Sequence, residues 1–412
     1  MIDLGLLREN PQKVIDNLKK KDPSYNASLL IRLDEEVRRL KIEVEELRHK
    51  KNELARQAQK GVTQEARQES REISALLKEK ELTLEKVEAE FRDLYLHCPN
   101  LLFDDVPPGG KEQNQVVKIW GEKPSFTFEL KNHLELGNLN GWFDFEAASR
   151  MTGSNFALYK GEGVQVVYAL MLFMFNNNLR HGYRPVLPPY LVNEKSLVAS
   201  GNFPRFKDEV YEVCADKLYL TPTSEVNLTN MYRDHIFNGS ELPVRMTAWT
   251  SCFRREAGNY GATERGLIRI HQFEKLELYT ICEPEESAQE QERMIACAES
   301  ILQALGLHYR ISLLAAQDCS FSSAKTYDIE VWMPGQGIYK EVSSVSNCTD
   351  FQARRAGIRS RLSTGKTRLV HTLNASSLAL PRLLVALMET YQEQAGSIHF
   401  PDVINSVTIS LR

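Results

Sequence analysis

The chain has 412 residues, 42% hydrophobic and 26% charged, with 51 basic and 55 acidic side chains and a formal net charge of −4. That length serves two or three domains with full cores, and the balance excludes a disordered, collagen-like or nucleic-acid-coating polymer. The seven cysteines show no C-x-x-C spacing, which leaves a disulfide frame and a cysteine-rich zinc site without support.

The longest apolar stretch, residues 164–176, is too short and too interrupted to span a bilayer. The first ten residues, MIDLGLLREN, carry neither a basic start nor an apolar run of the secretory kind. A cytoplasmic location and no membrane partner are therefore expected.

From Leu30 onward apolar residues fall on Leu33, Val37, Leu40, Val44, Leu47 and Leu54, with Lys51 in the skipped position. A second run holds Ile73, Leu77, Leu84, Val87, Phe91 and Leu94, with Lys80 in its gap. Both follow the 3.5-residue period of a coiled coil. The helix-breaking Gly61 between them predicts an antiparallel hairpin. Its first helix, residues 26–59, would extend about 50 Å at 1.5 Å per residue.

Residues 1–100 carry acidic and basic side chains in equal number, but Arg48, Lys50, Lys51, Arg56 and Lys60 gather near the hairpin tip. Two readings stay open: an ordinary solvated coiled coil or dimerisation rod, or a distal surface for phosphates.

Pro99 and the run Pro107-Pro108-Gly109-Gly110 break the helical pattern, which divides the chain into residues 1–105 and 106–412. Strands are predicted at 116–120, 126–130, 217–220, 247–253, 268–279, 330–333, 340–346 and 369–373. Helices are predicted at 161–181, 285–305 and 378–394. The mixture lacks a regular βαβ alternation, so an α+β body on an antiparallel sheet is expected.

Four segments carry chemistry. Residues 253–278 hold Arg254, Arg255, Glu256, Arg269, His271, Phe273, Lys275 and Glu277 around a glycine-rich loop. On paired strands, Arg254 and Glu256 would share a face, and Arg269 to Glu277 would alternate. Arginines clamp phosphates and carboxylates bidentately, and an aromatic ring stacks on a purine. The alternative is a set of cross-strand ion pairs on a solvated sheet.

Thr223-Ser224-Glu225 reads either as a helix cap or as a turn offering a hydroxyl and a carboxylate to an amino-bearing ligand. In the third segment, 339–344, Glu341 and Ser344 are hard oxygen ligands suited to Mg²⁺ beside a nucleotide. The fourth, 374–383, reads as a polar turn feeding an apolar helix that carries Arg382.

In this order behind a heptad arm, the four segments resemble the seryl-tRNA synthetases, class II aminoacyl-tRNA synthetases of the bacterial type. Motif 1 looks like residues 182–192 around Pro188-Pro189, motif 2 like 253–277, and motif 3 like 374–382. The segment 347–355, Asn-Cys-Thr-Asp-Phe-Gln-Ala-Arg-Arg, adds to the likeness. The wording departs from the commonest at Ser224, Ala375, Ser377, Asn155 and in the loop 259–264. No charged catalytic group is lost.

The resemblance implies ATP-dependent ligation of L-serine to tRNA(Ser) through a seryl-adenylate, and to tRNA(Sec) where that tRNA is present. It also implies a homodimer, ATP with Mg²⁺ and no zinc. Arg254 would bridge the α-phosphate and the serine carboxylate, with Arg255 beside it. Glu256 would read the adenine amino group and Phe273 would stack on the ring. Arg269 and Arg382 would bracket the outer phosphates, and Ile270 would contact nucleotide through its backbone.

Glu341 and Ser344 would hold Mg²⁺, with Val342 and Ser343 alongside. Thr223, Ser224, Glu225, Glu277, Asn374 and Ser376 would form the serine pocket. Arg48, Lys50, Lys51, Arg56 and Lys60 would meet the tRNA. Two other classes compete: a synthetase-like enzyme that charges another carrier, and a non-catalytic RNA-binding relative. The first typically lacks the arm and the second typically loses motif arginines.

Overall fold

A computed structural model describes residues 1–58, 63–256 and 266–405. The chain forms two compact units, Met1–Pro99 and Asn100–Arg412.

In the first unit the heptad pattern becomes two long helices, Ala27–Ala58 and Gln64–Leu96. Thr63 opens the second by accepting from the Ala66 amide. Seam residues Leu30, Leu33, Val37, Leu40, Val44 and Leu77 are buried. Leu47 and Leu54, nearer the tip, are only half-buried, and Lys51 is exposed.

Lys80, in the gap of the second seam, reaches across to Glu43 at 2.7 Å. Arg48–Glu81 and Lys41–Glu88 also link the helices, at 2.8 and 2.7 Å. The expected turn around Gly61 lies outside the described residues.

The second unit starts six residues before the position read from the proline cluster. Asn100 and Phe103 donate backbone hydrogen bonds to Phe321 and Ala324. The Asn100 side chain also donates to the carbonyls of Ser322 and Cys348. Residues 100–105 thus satisfy their polar groups within the second unit.

Its centre is an eight-stranded sheet in the order Gln115–Trp120, Tyr309–Leu313, Lys325–Met333, Ile338–Asn347, His371–Ala379, Gln272–Cys282, Val244–Phe253, Arg184–Val186. Every pairing is antiparallel except the last, where Arg184–Val186 runs parallel to Val244–Phe253. Helices Glu162–Arg180, Ser287–Ala304 and Leu380–Thr390 contribute to the main apolar core, with Leu276, Leu278, Val342, Val345, Leu373 and Ala375 facing them from the sheet. Alternation sends Phe273, Lys275 and Glu277 to the other face. None of the described helices is long and apolar enough to cross a membrane.

Three local expectations change. Residues 126–130 keep an alternating burial but form no strand, because no neighbour pairs with them. The strand foreseen from 268 begins at Gln272, and Gly266–Ile268 is a 3₁₀ turn. Residues 374–379 are the end of the strand His371–Ala379 rather than a turn, and the apolar helix follows at Leu380.

The buried seam, not the exposed ion pairs, holds the arm together. Leu40→Ala removes a fully packed side chain and should cost about 2–3 kcal/mol. Amide hydrogen exchange should accelerate along Ala27–Ala58 and Gln64–Leu96 while the strand Gln272–Cys282 stays protected.

Candidate functional site

One cavity of about 470 Å³ opens on the sheet face away from the main core, and it collects side chains from all four chemical segments. Regular strands could not deliver them. Glu341 and Ser344 are three residues apart and would point to opposite faces. The pairing with Lys325–Met333 slips between Ile329↔Ser343 and Glu330↔Glu341, leaving Val342 unpaired as a bulge.

Val342 and Ser343 turn inward and are buried, while Glu341, Ser344 and Ser346 line the cavity. The neighbouring strand repeats the device: Ser376 pairs with Glu277 and Leu378 with Leu276, so Ser377 is skipped. Asn374, Ser376 and Ala379 then share the cavity wall, and buried Ser377 bonds to Asn178 at 2.7 Å.

At one end the floor is a buried polar cluster. Lys275 donates to the Thr223 hydroxyl at 2.7 Å, and that hydroxyl donates to Glu277 at 2.8 Å. Lys275 also forms an ion pair with Glu277, and both are at least 93% shielded from solvent. Thr223 caps the helix Ser224–Met231 by accepting from the Glu225 amide at 3.2 Å, so this turn is a helix cap, and Thr223 and Glu225 also line the cavity.

Glu225 accepts from Gln352 at 2.6 Å and from Asn374 at 3.0 Å. Burial first, and the nearby Glu277 charge second, push its carboxyl up to about 7. Gln352 was not singled out from the sequence, although it sits in the segment 347–355. It also accepts from Thr372 and Tyr279, which locks its amide toward Glu225. Lys275 was visible in the strand alternation without a role assigned to it.

At the other end the charges are arginines. Arg254 lies just past the strand Val244–Phe253, its amide bonded to the His271 carbonyl and its guanidinium 5.2 Å from the Phe273 ring centre. Glu256 takes a left-handed backbone with φ 48°, uncommon for a residue with a side chain, and pairs with Arg269 at 2.6 Å.

Glu256 and Arg269 therefore meet across turns rather than across paired strands. Arg382, in the first turn of Leu380–Thr390, bonds to the Glu341 carbonyl at 2.9 Å and lies 3.3 Å from its carboxylate. Leu267, Ile268, Ile270 and Pro381 complete this wall.

Four residues named from the sequence stand outside the cavity wall. Arg255 is exposed, Val342 and Ser343 point inward, and Ser224 is buried with no partner for its hydroxyl among the described residues. On the arm, Lys50, Lys51 and Arg56 are exposed, Arg48 is tied to Glu81, and Lys60 lies outside the described residues.

The donor set was tested for a divalent cation. Glu341 and Ser344 offer two hard oxygens on one wall, enough for Mg²⁺ that completes its shell with phosphates and water. Behind them Asp328 pairs across the strands with Ser344, and its buried Oδ1 has no hydrogen-bond partner among the described residues. Burial, and next the Glu341 charge, hold the Asp328 carboxyl well above the usual range. An added cation would relieve that concentration of acid, so the residues fit the ion.

An antiparallel sheet with paired arginines over a polar floor is the core of a class II aminoacyl-tRNA synthetase. Residues 206–391 match the family model "tRNA synthetase class II core domain (G, H, P, S and T)", and residues 1–102 match "Seryl-tRNA synthetase N-terminal domain". The chain is 43% identical over 416 residues to serine–tRNA ligase 2 of Clostridium acetobutylicum, covering 98% of each chain. It is 44% identical over 412 residues to the serine–tRNA ligase of Hydrogenobaculum sp., again covering 98% of each.

The crystal structure of seryl-tRNA synthetase from Pyrococcus horikoshii complexed with ATP superposes with a TM-score of 0.91 at 34% identity, over 99% of this chain and 98% of that one. The chain belongs to the seryl-tRNA synthetase family.

The raised Glu225 carboxyl has a consequence for stability. Its folded value, about 7, lies well above that of an ordinary glutamate. Between those values the folded chain holds more protons than the unfolded one, so this group favours folding most at low pH and less as pH rises through 7. Glu225→Gln lacks that term. Its melting temperature relative to the unsubstituted protein should rise from pH 5 to pH 8, measured by scanning calorimetry.

Proposed function

We propose that this chain activates L-serine with ATP and transfers the seryl group to tRNA(Ser), and to tRNA(Sec) where that tRNA is present. The observation that carries the substrate assignment is the floor of Thr223, Lys275, Glu277 and Glu225. It is too polar for an apolar side chain, and its carboxylates suit an ammonium and a hydroxyl. An alanine in that place would bring no hydroxyl to this polar floor and forgo the hydrogen bond that serine makes there, which is how a polar pocket rejects an analogue lacking the hydroxyl.

In the first step a serine carboxylate oxygen attacks the ATP α-phosphorus, and the bond to pyrophosphate breaks. No protein nucleophile takes part. Arg254, whose Nε donates to the carbonyl of Pro222 next to Thr223, stabilises charge on the α-phosphate while orienting the serine carboxylate. Phe273 stacks on adenine, Glu256 accepts from its amino group, and the Ile270 backbone lies along the nucleotide. Arg269 and Arg382 hold the outer phosphates. Such rigid donors act by positioning and by opposing charge that develops in the transition state.

Glu341 and Ser344 would hold Mg²⁺, which supplies charge neutralisation for the phosphates. In the second step the 3′-terminal ribose hydroxyl of the tRNA attacks the seryl carbonyl and AMP leaves.

Two further parts of the reading concern assembly. The segment 182–192 exposes Leu187, Tyr190 and Leu191 beside an apolar hollow of about 360 Å³ lined by Phe175, Pro185, Val186 and Trp249. A second copy of the chain docked there by two-fold symmetry would cover it. On the arm, exposed Lys50, Lys51 and Arg56 support contact with a phosphate backbone.

The test of the reading is ATP–pyrophosphate exchange with each amino acid in turn. Serine alone should support it. Glu277→Ala should lose at least about a hundredfold, equivalent to a charged hydrogen-bond pair of about 3 kcal/mol. Unchanged serine KM and kcat in that variant would refute the pocket assignment.

The arm is tested separately by deleting residues 26–97 across a short linker. Exchange should persist while charging of tRNA(Ser) collapses. Charging at the full rate by the armless protein would return the arm to a solvated coiled coil.

A further inference from the structure

The turn Gly266–Ile268 delivers Leu267 and Ile268 to the cavity wall and leads directly into Arg269 and Ile270. A 3₁₀ turn of three residues has little hydrogen bonding of its own. Its geometry comes from two outside contacts, and both lead to the helix Leu380–Thr390.

At the helix start, Arg382 Nε donates to the Ile268 carbonyl at 3.4 Å. Near the helix end the contact is indirect. The Leu267 amide donates to Nε2 of His133 at 3.4 Å, and His133 Nδ1 lies 3.3 Å from Glu389 Oε1.

Acceptance at Nε2 places the ring proton on Nδ1, where it donates to Glu389. His133 and Glu389 are both buried. The same carboxylate accepts from the His133 amide at 3.2 Å, from the Gly335 amide at 3.0 Å and from the Gln336 side chain at 3.2 Å. One buried carboxylate thus gathers the start of the helix His133–Asn140, the hairpin before the strand Ile338–Asn347, and through His133 the turn at 266–268. The approach is close: a Cβ on Gly266, where φ is 67°, would lie 2.4 Å from His133 Nε2.

We propose that His133 is a positioning residue for the nucleotide end of the cavity. Its neutral ring, oriented by Glu389, sets the height of the Leu267 amide and so the placement of Arg269 and Ile270. This rests on the assignment of that end to ATP. Serine meets the opposite floor, which His133 does not touch. The effect of its loss should therefore fall on one substrate.

The experiment measures KM and kcat for ATP and for serine in pyrophosphate exchange, in the full chain. His133→Phe fills the space without an acceptor. His133→Gln returns an amide oxygen near the Nε2 position. Gly266→Ala pushes the turn off an intact ring.

His133→Phe and Gly266→Ala should each raise the ATP KM about tenfold or more, with serine KM within twofold. His133→Gln should recover to within about threefold of the unsubstituted protein. If His133→Phe does not fold, Gly266→Ala and His133→Gln decide. An unchanged ATP KM in the folded Phe and Ala variants, or a parallel rise for both substrates, would overturn the proposal. Absence of serine-dependent exchange in the unsubstituted protein would instead overturn the functional reading.

Discussion

Antiparallel pairing allows a strand to show only every second residue to one face, and the cavity needs more than that from two neighbouring strands. Glu341 with Ser344, and Ser376 with Ala379, are odd-numbered steps apart, yet each pair lines the same wall. The bulges at Val342 and Ser377 reconcile the two demands. Each tucks small or apolar residues into the core and resets the alternation for the polar ones. Without these slips, Glu341 and Ser344 would face opposite sides of the sheet, and so would Ser376 and Ala379.

The floor depends on the same sheet in a second way. A charge pair such as Lys275–Glu277 is costly to bury, and its attraction offsets that cost only when the remaining polar atoms are also matched. Here the Thr223 hydroxyl bridges both charges, and Gln352 and Asn374 hold the neighbouring Glu225. The cluster is therefore preorganised for a small polar ligand rather than for stability. Burial and the neighbouring Glu277 charge together raise the Glu225 carboxyl, and a cation brought beside it would favour its charged form.

The arm obeys other physics. Its base is dry and packed, and its burial fades toward Leu47 and Leu54. Interhelical pairs such as Arg48–Glu81 and Lys80–Glu43 are partly exposed and screened by water, so they add little to stability. Arg48 is thereby partly committed within the arm, whereas Lys50, Lys51 and Arg56 present their charge to solvent.

Much of this was legible in the residues alone. Heptad spacing specified the arm because a helical seam is a local, periodic property that needs no knowledge of the rest of the chain. Alternating apolar runs located most strands, and the grouping of Arg254, Glu256, Phe273, Glu277, Glu341 and Arg382 marked the chemistry. What the residues could not reveal was decided by pairing partners.

Residues 126–130 have a strand's pattern and no neighbour. The segment 374–379 has a turn's composition and is held as a strand between two others. The bulges, the Gln352 clamp on Glu225 and the His133–Glu389 link join residues more than a hundred positions apart or depend on a register slip of one residue. Such contacts have no local signature: the sequence determines which groups are available, and only the folded sheet determines which of them meet.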